Sequence, residues 1–190
     1  MKKEFIITTY SENHIGLTNR ITIIFTRRQV NIESLTGSES ALPGIHKITI
    51  VVNEEEEKVK NIVKQIDKLV DVLKAFYHTN EEMIYQEIAL YKVSTKSLME
   101  SDEIEKMIRS HNARILEITP EYTVIEKTGH KEETQELFRG LNKFGVLQFI
   151  RSGRIAITRS PIEKLSEFLI ERDSLLEKIE SRGQLRISKK

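Results

Sequence analysis

Two stretches carry the residue types that could do chemistry: Asn13-His14-Ile15-Gly16-Leu17-Thr18-Asn19-Arg20 and, one short helix later, Asn31-Ile32-Glu33-Ser34-Leu35-Thr36. A polar turn ending in Gly16 lets a backbone approach a ligand closely. The first amides of the helix that follows are unpaired donors with a partial positive charge, suited to a carboxylate. Asn13 adds an amide donor and a side-chain carbonyl that can receive an ammonium proton. A free α-amino acid carries both groups, so the chemistry on offer is non-covalent capture of an amino acid. The plainer reading is that Asn13 caps the helix and Gly16 relaxes the turn. The residues alone leave both readings open.

Other chemistries find little to work with. Histidines at 14, 46, 78, 111 and 130 form no i, i+4 pair and no His-x-His, so they read as surface or loop residues, with His14 alone placed where a ligand could sit. Cysteine is absent, which removes thiolate nucleophiles, thiolate metal sites and disulfides together. Gly37 and Gly44 are spaced as in a loop, but Ile45 stands where a phosphate loop needs its lysine. Glu33, between Ile32 and Leu35, reads as a strand residue facing away from the core, with an interface or ligand role as the sharper alternative. No nucleophile, base and orienting group can be grouped, so no catalysis by this chain alone is expected. Lys plus Arg (30) nearly cancel Asp plus Glu (29), so charge points to neither a nucleic acid nor an anionic membrane.

The elements that must position these residues follow from periodicity. Phe5 to Thr9 reads as a strand, and Leu17, Ile21, Ile24 and Phe25 share one helix face that ends at Arg27-Arg28. Strand two runs from about Val30 to Thr36, and strand three from Ile45 to Val52 after a turn-rich segment with Pro43. Asn53 before Glu54 to Glu57 predicts an N-cap and the acidic first turn of a helix whose buried stripe is Val59, Ile62, Val63 and Ile66. Val70 to Tyr77 completes a β-α-β-β-α-β order.

After a polar hinge at His78 to Glu82 the order recurs. A strand at Ile84 to Val93 and a helix around Ile104 to Ile108 lead to strands at Ala113 to Thr119 and Tyr122 to Ile125, joined at Pro120. A helix with Leu137, Phe138, Leu141 and Phe144 closes at Gly145 before a strand at Val146 to Arg151. Ser152-Gly153 then turns into Arg154 to Ile157. Beyond Pro161, the residues Ile162, Leu165, Leu169, Leu176 and Ile179 keep helical spacing ahead of a basic tail, and the helix is expected to lie on its own domain, with a partner protein as the second choice and a membrane, given the mixed charges of its polar face, a distant third.

The expected fold class is α+β, with two ferredoxin-like βαββαβ units over 1–80 and 81–160 and a helix and tail over 161–190. RNA-recognition modules share this order, but strand three offers no aromatic for a base to stack on. The apolar run at the start is too short for a signal peptide or a membrane span, so the cytoplasm is the expected location.

Further residues fall into a family pattern. Glu12-Asn13 to Gly16, Arg20, Arg28 with Asn31 to Thr36, Leu69-Val70-Asp71-Val72-Leu73, Glu87 to Val93, Thr119-Pro120 with Tyr122-Thr123-Val124, and Arg151-Ser152-Gly153 recur in order. In these the chain resembles the small regulatory subunit of acetolactate synthase (acetohydroxyacid synthase), whose N-terminal half is an ACT domain. The resemblance implies a non-catalytic subunit that binds and activates a separate catalytic large subunit. Thiamine diphosphate, magnesium and FAD would belong to that partner, with no cofactor on this chain.

The resemblance also implies feedback inhibition by valine or another branched-chain amino acid bound between the ACT domains of a homodimer. Asn13 and Gly16 would meet the effector's polar groups, Ile15 and Leu17 would lie beside it, and Asn31 and Ile32 would come from the other chain. Two features depart from the family pattern. Ile15 is bulky where the family has a small residue or proline, which bears on effector size, and the helix beyond Pro161 passes the family's usual end. The alternative is a stand-alone tandem ACT-like amino-acid sensor that controls another enzyme or a transcription factor.

Overall fold

The computed structural model describes residues 1–100 and 102–174, so Leu176, Ile179 and the basic tail lie outside the described residues. Alternation along the strands sets up the first layer. Phe5 and Ile7 of β1 (Lys3–Glu12) and Ile50 and Val52 of β3 (Ile45–Glu54) point to one face. There they meet Leu17, Ile21 and Phe25 of α1 (Leu17–Arg27) and Val59, Ile62 and Ile66 of α2 (Glu56–Ile66). With β2 (Ser34–Glu39) and β4 (Val72–Thr79) the strands form an antiparallel sheet in the order β2-β3-β1-β4.

The second half repeats the plan: β5 (Met83–Ser94), α3 (Thr95–Glu100), α4 (Asp102–Ser110), β6 (Arg114–Ile118), β7 (Tyr122–Gly129), α5 (Lys131–Asn142) and β8 (Val146–Arg151). Its sheet order, β6-β7-β5-β8, is the same path with new strands. Ala89, Tyr91, Val93 and Ile125 pack there against Ile104, Leu137 and Leu141. The long strand β5 has two partners in succession: β8 pairs with Ala89 to Val93, and β9 (Ile155–Thr158) with Met83 to Gln86. The α+β class with two ferredoxin-like units is thus the observed fold.

The two units are packed together. Ile6 and Val51, on the face of the first sheet that α1 and α2 leave open, join Met83, Ala156 and Tyr85 in a small shared core. A further helix, α6, over 164–174, packs beside it on that face. Leu165 is 2% exposed, Glu163 accepts the Tyr10 hydroxyl and lies 3.6 Å from the Lys47 ammonium, and Lys74 sits 5.1 Å over the Phe168 ring. The C-terminal helix therefore rests on the amino-terminal unit. No helix among the described residues is long and apolar enough to cross a membrane.

Several local expectations are corrected. Asn53 caps nothing: the ladder that pairs Lys3 with Glu54 carries β3 past it, and Glu55 is the residue before α2. Strand two starts at Ser34, so Asn31 and Ile32 precede it, and Glu33 touches the ladder only through its amide, 2.8 Å from the Val51 carbonyl. Val70 and Asp71 form a turn ahead of β4.

The polar hinge shrinks to Asn80–Glu82, a single 3-10 turn capped by Thr79. His46 is a strand residue of β3, and His78 is a buried strand residue whose ring lies 3.5 Å from the Thr8 hydroxyl. Burial, then the nearby positive charges of Lys164 and Lys47, holds its pKa down at about 4. Sequence spacing treated these histidines as polar because it shows neither α6 nor the facing sheet.

Candidate functional site

The candidate effector turn sits between β1 and α1, and three constraints shape it. Gly16 holds a left-handed backbone, φ 82°, at the N-cap of α1, and no side chain caps that helix. A Cβ built on Gly16 would meet nothing within 4 Å, so the space before the helix start is open. The chain enters the turn tied by Glu12 N–H to the Asp71 carbonyl at 3.0 Å, and leaves it through Leu17 N–H to the His14 carbonyl at 3.2 Å.

Asp71 is the residue that sequence reasoning placed in a strand and gave no role. Its carboxylate lies 2.8 Å from His14 Nδ1 and also pairs with Arg20, one turn into α1. The hydrogen bonds from His14 and Arg20 hold the Asp71 carboxyl below its ordinary value. The available signal was its presence in the family pattern together with His14 and Arg20.

The residues expected to meet the effector are distributed as follows. Asn13 and Gly16 are exposed at the turn, and Ile15 is fully exposed at its tip. The Leu17 side chain is 3% exposed and belongs to the first core. Asn31 is exposed and donates to the Glu33 carboxylate at 3.3 Å, while Ile32 is half-buried against the same core. Within one chain no hydrogen bond among the described residues joins the 13–17 turn to Asn31 or Ile32.

A second cluster lies where the two units meet. Arg154, 3% exposed, reaches Glu4 at 2.8 Å and Asn80 at 3.2 Å in the first half and Glu87 at 3.3 Å in the second, with its guanidinium 3.8 Å from the Tyr85 ring centre. Arg151 holds the other oxygen of Glu87 at 3.1 Å. Burial alone would raise the Glu4 carboxyl, but the hydrogen bonds from Arg154 and Asn80 outweigh it and hold the group low. The turn 151–154 lines a crevice of about 310 Å³ together with Glu33, Ser34, Leu35 and Val51 of the first unit.

Comparison with known proteins accounts for both halves. Residues 7–74 match a family model described as an AHAS small subunit-like ACT domain, and residues 86–160 match one described as the small subunit of acetolactate synthase. The acetolactate synthase small subunit of Bacillus subtilis is 34% identical over 85% of this chain and 94% of its own length. A probable acetolactate synthase small subunit of Methanothermobacter thermautotrophicus is 32% identical over 81% of this chain and 92% of its own. The crystal structure of the Thermotoga maritima acetolactate synthase small subunit superposes with a TM-score of 0.76, at 27% identity, over 84% of this chain and 99% of that one. With both halves matched in order and the fold shared, this chain belongs to the family of acetolactate synthase small subunits, the regulatory partners of that enzyme's catalytic subunit.

Proposed function

We propose that this chain activates a thiamine-diphosphate-dependent acetolactate synthase catalytic subunit in the cytoplasm and makes it sensitive to a branched-chain amino acid, valine or a close relative. The observation that carries the effector reading is the uncapped start of α1 behind left-handed Gly16, with open space before it. The Leu17 amide is taken by the His14 carbonyl, and the next two, of Thr18 and Asn19, suit an α-carboxylate. Asn13 of one chain and Asn31 of another supply groups for the ammonium, so the site is shared across a homodimer. Such a dimer has an available edge in β2, which among the described residues pairs only with β3 and starts two residues after Ile32. Exposed Ile15 would border the effector's side chain and favour a compact aliphatic group. Nothing in the fold favours the stand-alone sensor.

The test is a reconstituted assay with the catalytic subunit from the same cell, with and without this chain, titrated with valine, leucine and isoleucine. Stimulation by the chain and inhibition by one of the three are expected. Binding of an amino acid with no effect on, or association with, the synthase would support the sensor reading instead.

A further inference from the structure

Arg151-Ser152-Gly153 belongs to the family pattern, and with Arg154 it forms a turn of the second unit. Its neighbour across the crevice is β2. A Cβ on Gly153 would collide with the Thr36 hydroxyl and come within 3.2 Å of the Leu35 carbonyl, so the turn can press against β2 only as glycine. Ser152 fixes the turn from behind: its hydroxyl accepts the Ile88 amide at 2.9 Å, and its own amide donates to the Ile88 carbonyl at 2.8 Å. Arg154 then ties the same turn to Glu4 on β1 and Glu87 on β5.

β2 is the part of the first sheet that lies nearest Gly153. Among the described residues of one chain it is an edge strand, none of its six residues is fully buried, and it starts right after Asn31, Ile32 and Glu33. The hydroxyls of Ser34 and Thr36 are buried and have no protein partner, so a small slide against the turn can give them one. Coupling between sites needs such an element with two arrangements that both sites bias.

We infer that the turn 151–154 is the coupling element of this subunit: it senses displacement of residues 31–36 and passes it through Arg154 and Glu87 to β5 and the second sheet. The inference rests on the effector reading above. Effector at Asn31 and Ile32 favours one position of β2. The turn follows because Gly153 leaves no slack, and β5 moves with it because Glu87 is held by both arginines.

The holoenzyme, reconstituted with wild-type chain or with Gly153→Ala, Arg154→Lys or Glu4→Gln, distinguishes this role from binding or docking. Calorimetry with valine, leucine or isoleucine reads effector affinity, and synthase activity reads stimulation and inhibition separately. In the variants, affinity within about twofold of wild type and full stimulation are expected, with inhibition at saturating effector weakened by at least about fivefold, the lower end of allosteric coupling. Glu4→Gln removes one charge from the cluster and guards against a variant that simply fails to fold, which thermal melting detects. Folded variants inhibited as fully as wild type would overturn the inference. So would loss of effector affinity, or loss of stimulation, in step with loss of inhibition. A wild-type chain that binds none of the three amino acids removes the effector reading itself, and this inference with it.

Discussion

Gly16 does two things that another residue would do badly. Its backbone is left-handed, which costs a residue with a side chain roughly 1–2 kcal/mol, and its missing Cβ keeps the helix start open. Gly16→Ala is therefore expected to lower stability by about 1 kcal/mol for conformational reasons alone, since a methyl group there meets nothing. Effector affinity should fall by more than stability does, because the turn is displaced at the point where a carboxylate would bind. Denaturant melts alongside calorimetry separate the two effects, and equal losses would make the turn merely structural. The Asp71 bridge to His14 and Arg20 then has a plain purpose: it holds the two sides of this turn in place from the loop before β4.

At the level of elements, α6 is the addition that changes its surroundings most. It covers part of the outer face of the first sheet, buries Leu165 and places Lys164 near His78. Ending the chain at Ser160 removes that cover, so the loss of Leu165 burial alone should lower stability by roughly 1.5–3 kcal/mol. His78 also makes stability pH-dependent. Its folded value of about 4 lies below its ordinary 6.5, so between these values the unfolded chain binds a proton that the folded chain does not. Stability from this group is complete above about 6.5 and declines as the pH falls towards 4. In the truncated chain the His78 pKa should move back up towards 6.5, as an imidazole NMR titration would record. An unchanged titration would mean that the sheets, and not α6, hold the ring neutral.

The same elements show what the sequence disclosed. The helix faces Leu17-Ile21-Phe25 and Val59-Ile62-Ile66 were readable because local period and tertiary burial agree there. Asn53 misled because a cap is a local signal, and the cross-strand partner of Glu54 lies far away in the chain. His78, Asp71 and Arg154 were opaque for the same reason: each is defined by groups brought to it by folding. The effector turn was readable as a motif, but the burial of Leu17 was not distinguishable from exposure at a helix start.

For the whole molecule, the shared core and the Arg154 cluster predict that the two units unfold together. Removing one partner of a buried ion pair typically costs about 3–5 kcal/mol. Arg154→Met should therefore either lower the single transition by an amount of that order or split it in two, as scanning calorimetry would show. A double-mutant cycle of Arg154→Met with Glu4→Gln isolates their pairwise term, and a term near zero would mean that the apolar contacts of Met83 and Ala156 hold the units together without the charges.

The turn Asn80–Glu82 is all that separates β4 from β5. So short a tether confines the second unit beside the first at an effective concentration on the order of millimolar or higher. At that concentration even a contact that would be weak between two free proteins is held closed. Cutting the backbone at that turn would convert it into an ordinary bimolecular equilibrium, whose dissociation constant would report directly how much of the closure comes from the interface and how much from the tether.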